Sequence, residues 1–518
     1  MEQILFDSFK SFYISKNARI IFIYGIIIFL ISRGSSLVSY TFGIDDLQFW
    51  PAGLNIYSTF HQSFNEGRFA YPIVVGITQL ISIDVYKSFM LSTLLFMASI
   101  TITSIMVCKL WGVLNNLTLS LILVTLLILH PYFTDFFTWR IATFTGGIPF
   151  VMCMYAVLNK NNSFKSIFAS TLIFVFGLGI HQIPLEFVSV ALVLSIPLNI
   201  YYKTFNIKSC TQKFTVVILG TLVYIFFAKL FIAYGNIKTL GRDKIILLDN
   251  FPLVYNRTIE LAKLFLFSDT IVRPFQRLAL VLLCFISLFF IQRNFRQNKY
   301  YLVNSLLFLL SVFFGFILSV SLTIVSSAWM PVFRNLSSIG LVWAFIAVVA
   351  YKESNDLFKK VTLTSVFLIS LGFIGRNNEI LTDQIRVNSR DISMMNRIAS
   401  DIGHLPDYAK IKRLGFVGTN NSSLSMISSS ADLSTGWNNY GITLSLFAVQ
   451  WNSYLNALYY EVTGNFSLGE IDDKELNKIK PFCKQKEYPK LGSVWSRGDL
   501  AVVCLGGSDE LIKNKLAD

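Results

Sequence analysis

The chain has 518 residues, 54% hydrophobic and only 14% charged, and its mean hydropathy is +0.58. No water-soluble domain hides that much apolar surface, so the composition excludes a soluble globular protein and points to repeated bilayer crossings. The formal charge of +14 would suit nucleic acid on a soluble chain, but here the cations gather in short turns between apolar runs; nucleic acid is set aside, and membrane lipid is the expected contact.

In chain order, the apolar runs predict spans at 20–38, 87–107, 113–130, 141–158, 165–182, 184–201, 214–233, 277–293, 300–325, 332–350 and 361–375. That makes a polytopic α-helical membrane protein with about 11 transmembrane helices. Ser32-Arg33-Gly34-Ser35 is a poor cleavage context, so the first run is read as a retained span and not a signal peptide. The cations fix the expected topology. Lys10, Lys16 and Arg19 precede the first span, and Lys109, Lys160, Lys165, Lys203, Lys208 and Lys213 fall in alternate turns. Arg293, Arg296, Lys299, Lys352, Lys359 and Lys360 complete the series, all on one side if the N-terminus is cytoplasmic.

The moderately apolar stretch 69–84 cannot be another span without moving every later basic turn outside. It is therefore predicted as a re-entrant or interfacial helix in a first outer loop, 39–86; a broken hairpin over 69–107 is the alternative. After Gly375 the composition turns mixed polar. Stretches 414–417 and 500–505 read as strands, and 384–402 has helical spacing. The expected domains are thus a transmembrane unit, 1–375, and a small C-terminal α+β domain, 376–518, on the outer side.

Chemistry-bearing residues cluster at the predicted outer ends. The first outer loop opens with Tyr40-Thr-Phe-Gly-Ile-Asp45-Asp46. Two carboxylates at the mouth of a span are costly and point to function; like-charge proximity or burial raises the pKa of one, which suits a general base. The plainer reading makes the pair an N-cap and acidic first turn for a helix over 47–60. Further along come Asp135 and Arg140 in the loop 130–140, His181-Gln182 and Glu186 in an apolar hairpin, and Arg334. Loop 234–275 adds Lys238, Arg242, Lys244, Arg257 and Arg273. Outer arginines run against the charge bias, and a lipid phosphate would answer them through a bidentate fork; snorkelling, or ion pairs with Asp135 or Glu186, would answer them too.

Cys108, Cys153, Cys210 and Cys284 show no metal-like spacing, and there are only four histidines, so no metal site is expected. Cys483 and Cys504 lie in the polar C-terminal region, as a disulfide in an oxidising compartment or as free buried thiols. There is no Walker loop, dinucleotide fingerprint or zinc motif. An outer-face enzyme lacks cytoplasmic nucleotide sugars and needs a donor carried on lipid.

An apolar first helix, then Ile44-Asp45-Asp46 and Glu66-Gly67-Arg68, resembles the opening of the serotype-converting O-antigen glucosyltransferases of the GT-C superfamily. The loop Pro131…Asp135…Arg140 is similar to that family's second outer loop, and Tyr488-Pro-Lys-Leu-Gly-Ser-Val-Trp with Leu500-Ala-Val-Val-Cys-Leu looks like its periplasmic tail. The family often has a tyrosine-glutamine pair where this chain has His181-Gln182. The resemblance implies a multi-pass enzyme of the bacterial inner membrane, N-terminus cytoplasmic and C-terminus periplasmic. It would move glucose from undecaprenyl-phosphate-glucose to lipid-linked O-antigen repeats of lipopolysaccharide, dependent on a donor synthase and a flippase and on no cofactor. It implies inversion by single displacement, with Asp45 or Asp46 as base, and Asp45 the preferred one. Arg68, Arg140, Arg334 and Arg242 would bind the donor phosphate, and Asp135, His181, Gln182 and Glu186 the sugars. The alternatives are an O-antigen polymerase, a lipid-linked sugar flippase, or, through His181, an O-acyltransferase.

Overall fold

The computed structural model describes residues 15–39, 41–43, 46, 67–83, 88–138, 140–159, 163–201, 203–234, 250–263, 265, 271–295, 301–326, 332–420, 443, 445–448, 452–465, 468–484 and 486–506. Short polar side chains start many of its helices. Helix α1 (Lys16–Arg33) is capped by Ser15, whose hydroxyl accepts from Ala18 N. A ten-residue helix α2 (Tyr71–Leu80) precedes α3 (Phe89–Leu110) and α4 (Leu117–Leu129), the last capped by Asn116 through Leu119 N. Helices α5 (Arg140–Leu158), α6 (Phe164–Ile180) and α7 (Ile183–Tyr201) follow, then α8 (Ile207–Tyr234). Ser163 caps α6, and Asn206 accepts from Ser209 N at the start of α8. Each cap satisfies a backbone N–H that the first turn leaves without an intrahelical partner. The bundle closes with α9 (Phe251–Lys263), α10 (Pro274–Phe295), α11 (Tyr301–Ser319), α12 (Ile339–Glu353) and α13 (Asp356–Gly403), where Asn355 caps α13.

Contacts between helix ends sort the bundle into two poles. At one pole, Asn17 donates to Leu114 O at 3.1 Å, Tyr201 Oη to Asn304 O at 2.9 Å, and Asn294 Nδ2 to Glu353 O at 2.8 Å. The five capped ends of α1, α4, α6, α8 and α13 lie at this pole. At the other, Asn378 donates to Ile31 O at 3.2 Å, and Asp135 meets Arg334. The helices therefore run alternately up and down, as the short turns between them require.

Among the described residues, seven helices are long and apolar enough to cross a membrane, or eight if α4 and the bent turn after it form one span. Each of the eleven predicted runs coincides with a helix, but the stricter count is smaller for physical reasons. Helix α4 stops after 13 residues at His130-Pro131, α6 has 17 residues, and α1 carries Lys16, Arg19 and Arg33. Within the stretch 69–84, Tyr71–Leu80 forms α2, and Ala70, Tyr71 and Val75 pack against Ile180. Helix α12 is the hub: residues 341–350 are all buried. Helices α8, α10 and α11 expose Leu222, Phe226, Leu278, Phe285, Leu306 and Phe313, a belt of apolar side chains suited to a lipid surround.

The predicted boundary at 375/376 falls inside a continuous element: α13 runs unbroken for 48 residues. The polar residues beyond Gly375 keep helical spacing, with Ile380, Leu381, Val387, Met394, Met395, Ile398 and Ile402 all buried. The helix ends in the C-terminal α+β unit. Its strands β1 (Arg413–Gly418), β2 (Gly469–Glu470), β3 (Val494–Arg497) and β4 (Leu500–Gly506) lie in the order β2-β1-β4-β3. β1 pairs in parallel with β2 and β4, and β3 antiparallel with β4. Alternation divides β4 between two faces. Ala501, Val503 and Leu505 face a core shared with helix α14 (Asn452–Thr463) and the end of α13. Leu500, Val502 and Cys504 face α15 (Asp473–Ile479). Cys504 is disulfide-bonded to Cys483, with Cα atoms 5.3 Å apart.

Candidate functional site

The residues with chemistry gather at the pole opposite the capped ends, and their placement begins with a broken helix. Pro131 cannot continue α4, so the chain turns through a tight helical segment, Pro131–Thr138, all eight residues of which are buried. The break strands the last carbonyls of α4. Arg33 answers them from the end of α1: Nη1 donates to Ile128 O at 2.7 Å, Nη2 to His130 O at 3.0 Å and Nε to Thr134 Oγ1 at 2.9 Å. Thr134 in turn donates to Asn377 Oδ1 at 2.7 Å, and Asn377 Nδ2 to Leu129 O at 2.8 Å. Arg33 and Asn377 are both fully buried. A cation at a helix C-terminus is also favoured by the helix dipole.

That turn presents Asp135. Its Oδ2 accepts from Arg334 N at 2.9 Å and lies 3.3 Å from Arg334 Nη1, while Thr138 Oγ1 reaches Oδ1 at 3.4 Å. The charges of both Arg334 and Arg68 act on His181, which follows α6 and is buried. Next in sequence, Gln182 Nε2 donates to Tyr224 Oη at 2.8 Å, and Tyr224 Oη to Gly67 O at 3.3 Å. Ala70 N donates to Gly179 O at 2.9 Å. The strap 67–70 is thus tied to the α6–α7 turn and to α8, with Arg68 between its anchors. Gly67 has φ +72°, and a Cβ there would stand 2.8 Å from Tyr224 Oη, so this tie requires glycine on two counts.

The start of the first outer loop is fastened to the same pole. Phe42 is held by α13: its N–H donates to Asn388 Oδ1 and its carbonyl accepts from Asn388 Nδ2, each at 3.1 Å. Thr41 Oγ1 donates to Phe137 O at 3.4 Å, linking the loop to the turn that carries Asp135. Asp46 is buried, and its Oδ2 accepts from Gly43 N at 2.8 Å. Asp45, the helix expected over 47–60 and Arg242 lie outside the described residues; Arg140 opens α5, but its side chain also lies outside them.

The structure therefore brings together Arg68, His181, Gln182, Asp135 and Arg334, with Asp46 tethered alongside. Glu186 is turned elsewhere. Its Oε1 accepts from Leu322 N at 2.6 Å and Ser321 Oγ at 3.4 Å, at the start of the short helix Ser321–Val325. Cys483 and Cys504 brace the C-terminal domain. Among the described residues, no three His, Cys, Asp or Glu side chains are grouped to hold a metal ion.

Sequence reasoning missed Arg33, Tyr224 and the polar face of α13. Asn377, Gln384, Asn388 and Asp391 are all buried and spaced by seven, four and three residues, which is the spacing of one helical stripe. Asp391 accepts from Ser445 Oγ and Leu446 N, each at 2.7 Å, and Arg390 donates to Asn420 O at 3.2 Å. The stripe was visible in the sequence once the helix was allowed to continue past Gly375. No family model, curated protein or solved structure matches the chain.

Proposed function

We propose that the protein is a membrane glycosyltransferase that moves a hexose, glucose by the resemblance of its loops, from a polyprenyl-phosphate donor to a lipid-linked glycan acceptor. One observation carries the reading: acids and arginines at the ends of several helices converge at a single pole of an apolar bundle, against a folded polar domain. Buried charges cost too much at membrane depth to persist there without use. The disulfide in the C-terminal domain supports an oxidising, outer compartment for this pole, which suits an inner-membrane enzyme working on the periplasmic face.

In the proposed displacement, an acceptor hydroxyl oxygen attacks the anomeric carbon of the donor sugar. The hydroxyl proton passes to a carboxylate of Asp45 or Asp46, and the bond to the phosphate oxygen breaks with inversion. Asp46 already holds Gly43 N, which suits an orienting role and leaves Asp45 the preferred base. The leaving phosphate gains charge, so preset cations stabilise the transition state more than the ground state. Arg68 and Arg334 take this role, with Arg140 and Arg242 as further candidates; Asp135 aims Arg334, and His181 and Gln182 line the sugar side. Glu186 has Oε1 on the Leu322 amide and the Ser321 hydroxyl and Oε2 unpaired among the described residues, so it stays a candidate for the sugar contacts through Oε2.

The test is transfer of labelled glucose from undecaprenyl-phosphate-glucose to O-antigen in isolated membranes. Removing the base, by Asp45→Asn or Asp46→Asn, is expected to cost roughly 100-fold or more in rate for one of the two. If both variants insert normally and transfer at parental rate, the assignment is wrong. Arg334→Ala is expected to lower kcat about 100-fold, as loss of a transition-state donor does.

A further inference from the structure

Helix α13 has a polar stripe whose members reach the turn of Asp135, the start of the first outer loop and the C-terminal domain, and one contact differs in kind from the rest. The carboxamide of Asn388 pairs with both backbone groups of Phe42, donating to its carbonyl and accepting from its N–H, each at 3.1 Å. This is the pairing a neighbouring strand would offer, supplied by one side chain. Gln384 Nε2 adds a weaker bond to the same carbonyl at 3.4 Å. The Phe42 ring is buried in the core formed by Met394, Met395 and the C-terminal domain, so backbone and side chain are both held by α13.

Asparagine is a poor residue for a helix interior, because its amide competes for backbone partners. Its burial at 388 is explained by what it grips. Phe42 is directly followed by Gly43, whose N–H donates to Asp46 Oδ2. One helical turn beyond Asn388, Asp391 grips Ser445 and Leu446, and three turns before it Asn377 grips the turn of Asp135. We propose that Asn388 is a positioning residue, whose clamp on Phe42 sets the Gly43–Asp46 contact against the turn that carries Asp135, the partner of Arg334. The role rests on the transferase reading; the clamp itself does not.

The experiment therefore has two arms, both on the full chain in detergent or nanodiscs. Hydrogen–deuterium exchange reads the clamp directly. In Asn388→Ala the amide of Phe42 is expected to exchange at least about tenfold faster, as a freed buried N–H does, with helix α12 unchanged. Transfer from undecaprenyl-phosphate-glucose reads the positioning. Asn388→Ala is expected to lose about 100-fold in kcat with donor KM within about twofold, the signature of misplaced reacting groups. Asn388→Asp keeps an acceptor for Phe42 N–H, so it is expected to retain amide protection and recover part of kcat. Gln384→Ala, which removes the weaker bond to Phe42 O, serves should Asn388→Ala fail to fold; a smaller drop in kcat at unchanged donor KM is expected. Unchanged Phe42 exchange in Asn388→Ala, or faster exchange with kcat near parental, overturns the proposal. A parent protein that transfers nothing overturns the transferase reading, and the exchange arm still decides the clamp.

Discussion

Arg33 shows how a single buried charge organises a site it does not enter. Its three nitrogens bond Ile128 O, His130 O and the Thr134 hydroxyl, groups 95 to 101 residues away around the break at Pro131. Arg33→Leu would strand Ile128 O and leave His130 O with the Phe133 amide, so thermal unfolding in detergent is expected to show a loss of about 1–3 kcal/mol. Arg33→Lys should recover little, because an ammonium cannot span three acceptors in a fixed fork. The charge at the end of an apolar run was legible in the sequence; its role was not, because its partners are main-chain atoms whose exposure depends on where another helix stops. Glu186 teaches the converse. As an acid at a span end it reads as a ligand for sugar or arginine, and the fold adds a structural bond, with Oε1 accepting from the Leu322 amide. The loop residues fared differently: Asp135 and Arg334, read separately from two distant loops, meet at 3.3 Å.

Among the elements, helices were the easiest to read and their lengths the hardest. Apolar periodicity located every predicted run on a helix, but breaks at Pro131 and the continuation through Gly375 depend on tertiary partners that composition does not carry. The strands at 414–417 and 500–505 lie within β1 and β4, while β2 and β3 were missed, being two and four residues long. Where α13 meets the C-terminal domain, burial pushes the carboxyl of Asp391 up to about 6, against the opposing hydrogen bonds from Ser445 and Leu446 and the charge of Arg390. The raised value fixes the sign of a pH effect. The contribution of Asp391 to stability is complete below its ordinary value near 3.8 and is lost as pH rises through about 6. Melting of the full chain between pH 4 and 7 should therefore show a decline worth on the order of 2–3 kcal/mol from this group, and Asp391→Asn should flatten it. The disulfide acts independently of pH. Closing a loop of 21 residues, it is expected to contribute about 3 kcal/mol by restricting the unfolded chain, read as a lower melting temperature after reduction.

At the scale of the whole molecule, the described cations predicted to share one side, among them Lys109, Lys208, Arg293 and Lys352, lie at the pole of the capped ends. Reporter fusions at Lys208 and in the C-terminal domain are expected to report opposite compartments, and a shared compartment would refute the topology. The length of α13 adds a constraint of another sort. At 1.5 Å per residue its 48 residues extend about 72 Å, more than twice a hydrocarbon core of about 30 Å. The helix is a ruler as well as an anchor, fixing both the height and the azimuth of the C-terminal domain above the bundle. Seven extra residues inserted after Gln384 would lift the domain by about 10 Å almost in phase, whereas three would swing it by about 300° with little lift. Because that lift also draws Asn388 away from Phe42, the in-phase insertion should cost transfer about as much as Asn388→Ala does while the bundle stays folded, and the rate of transfer is the quantity to measure.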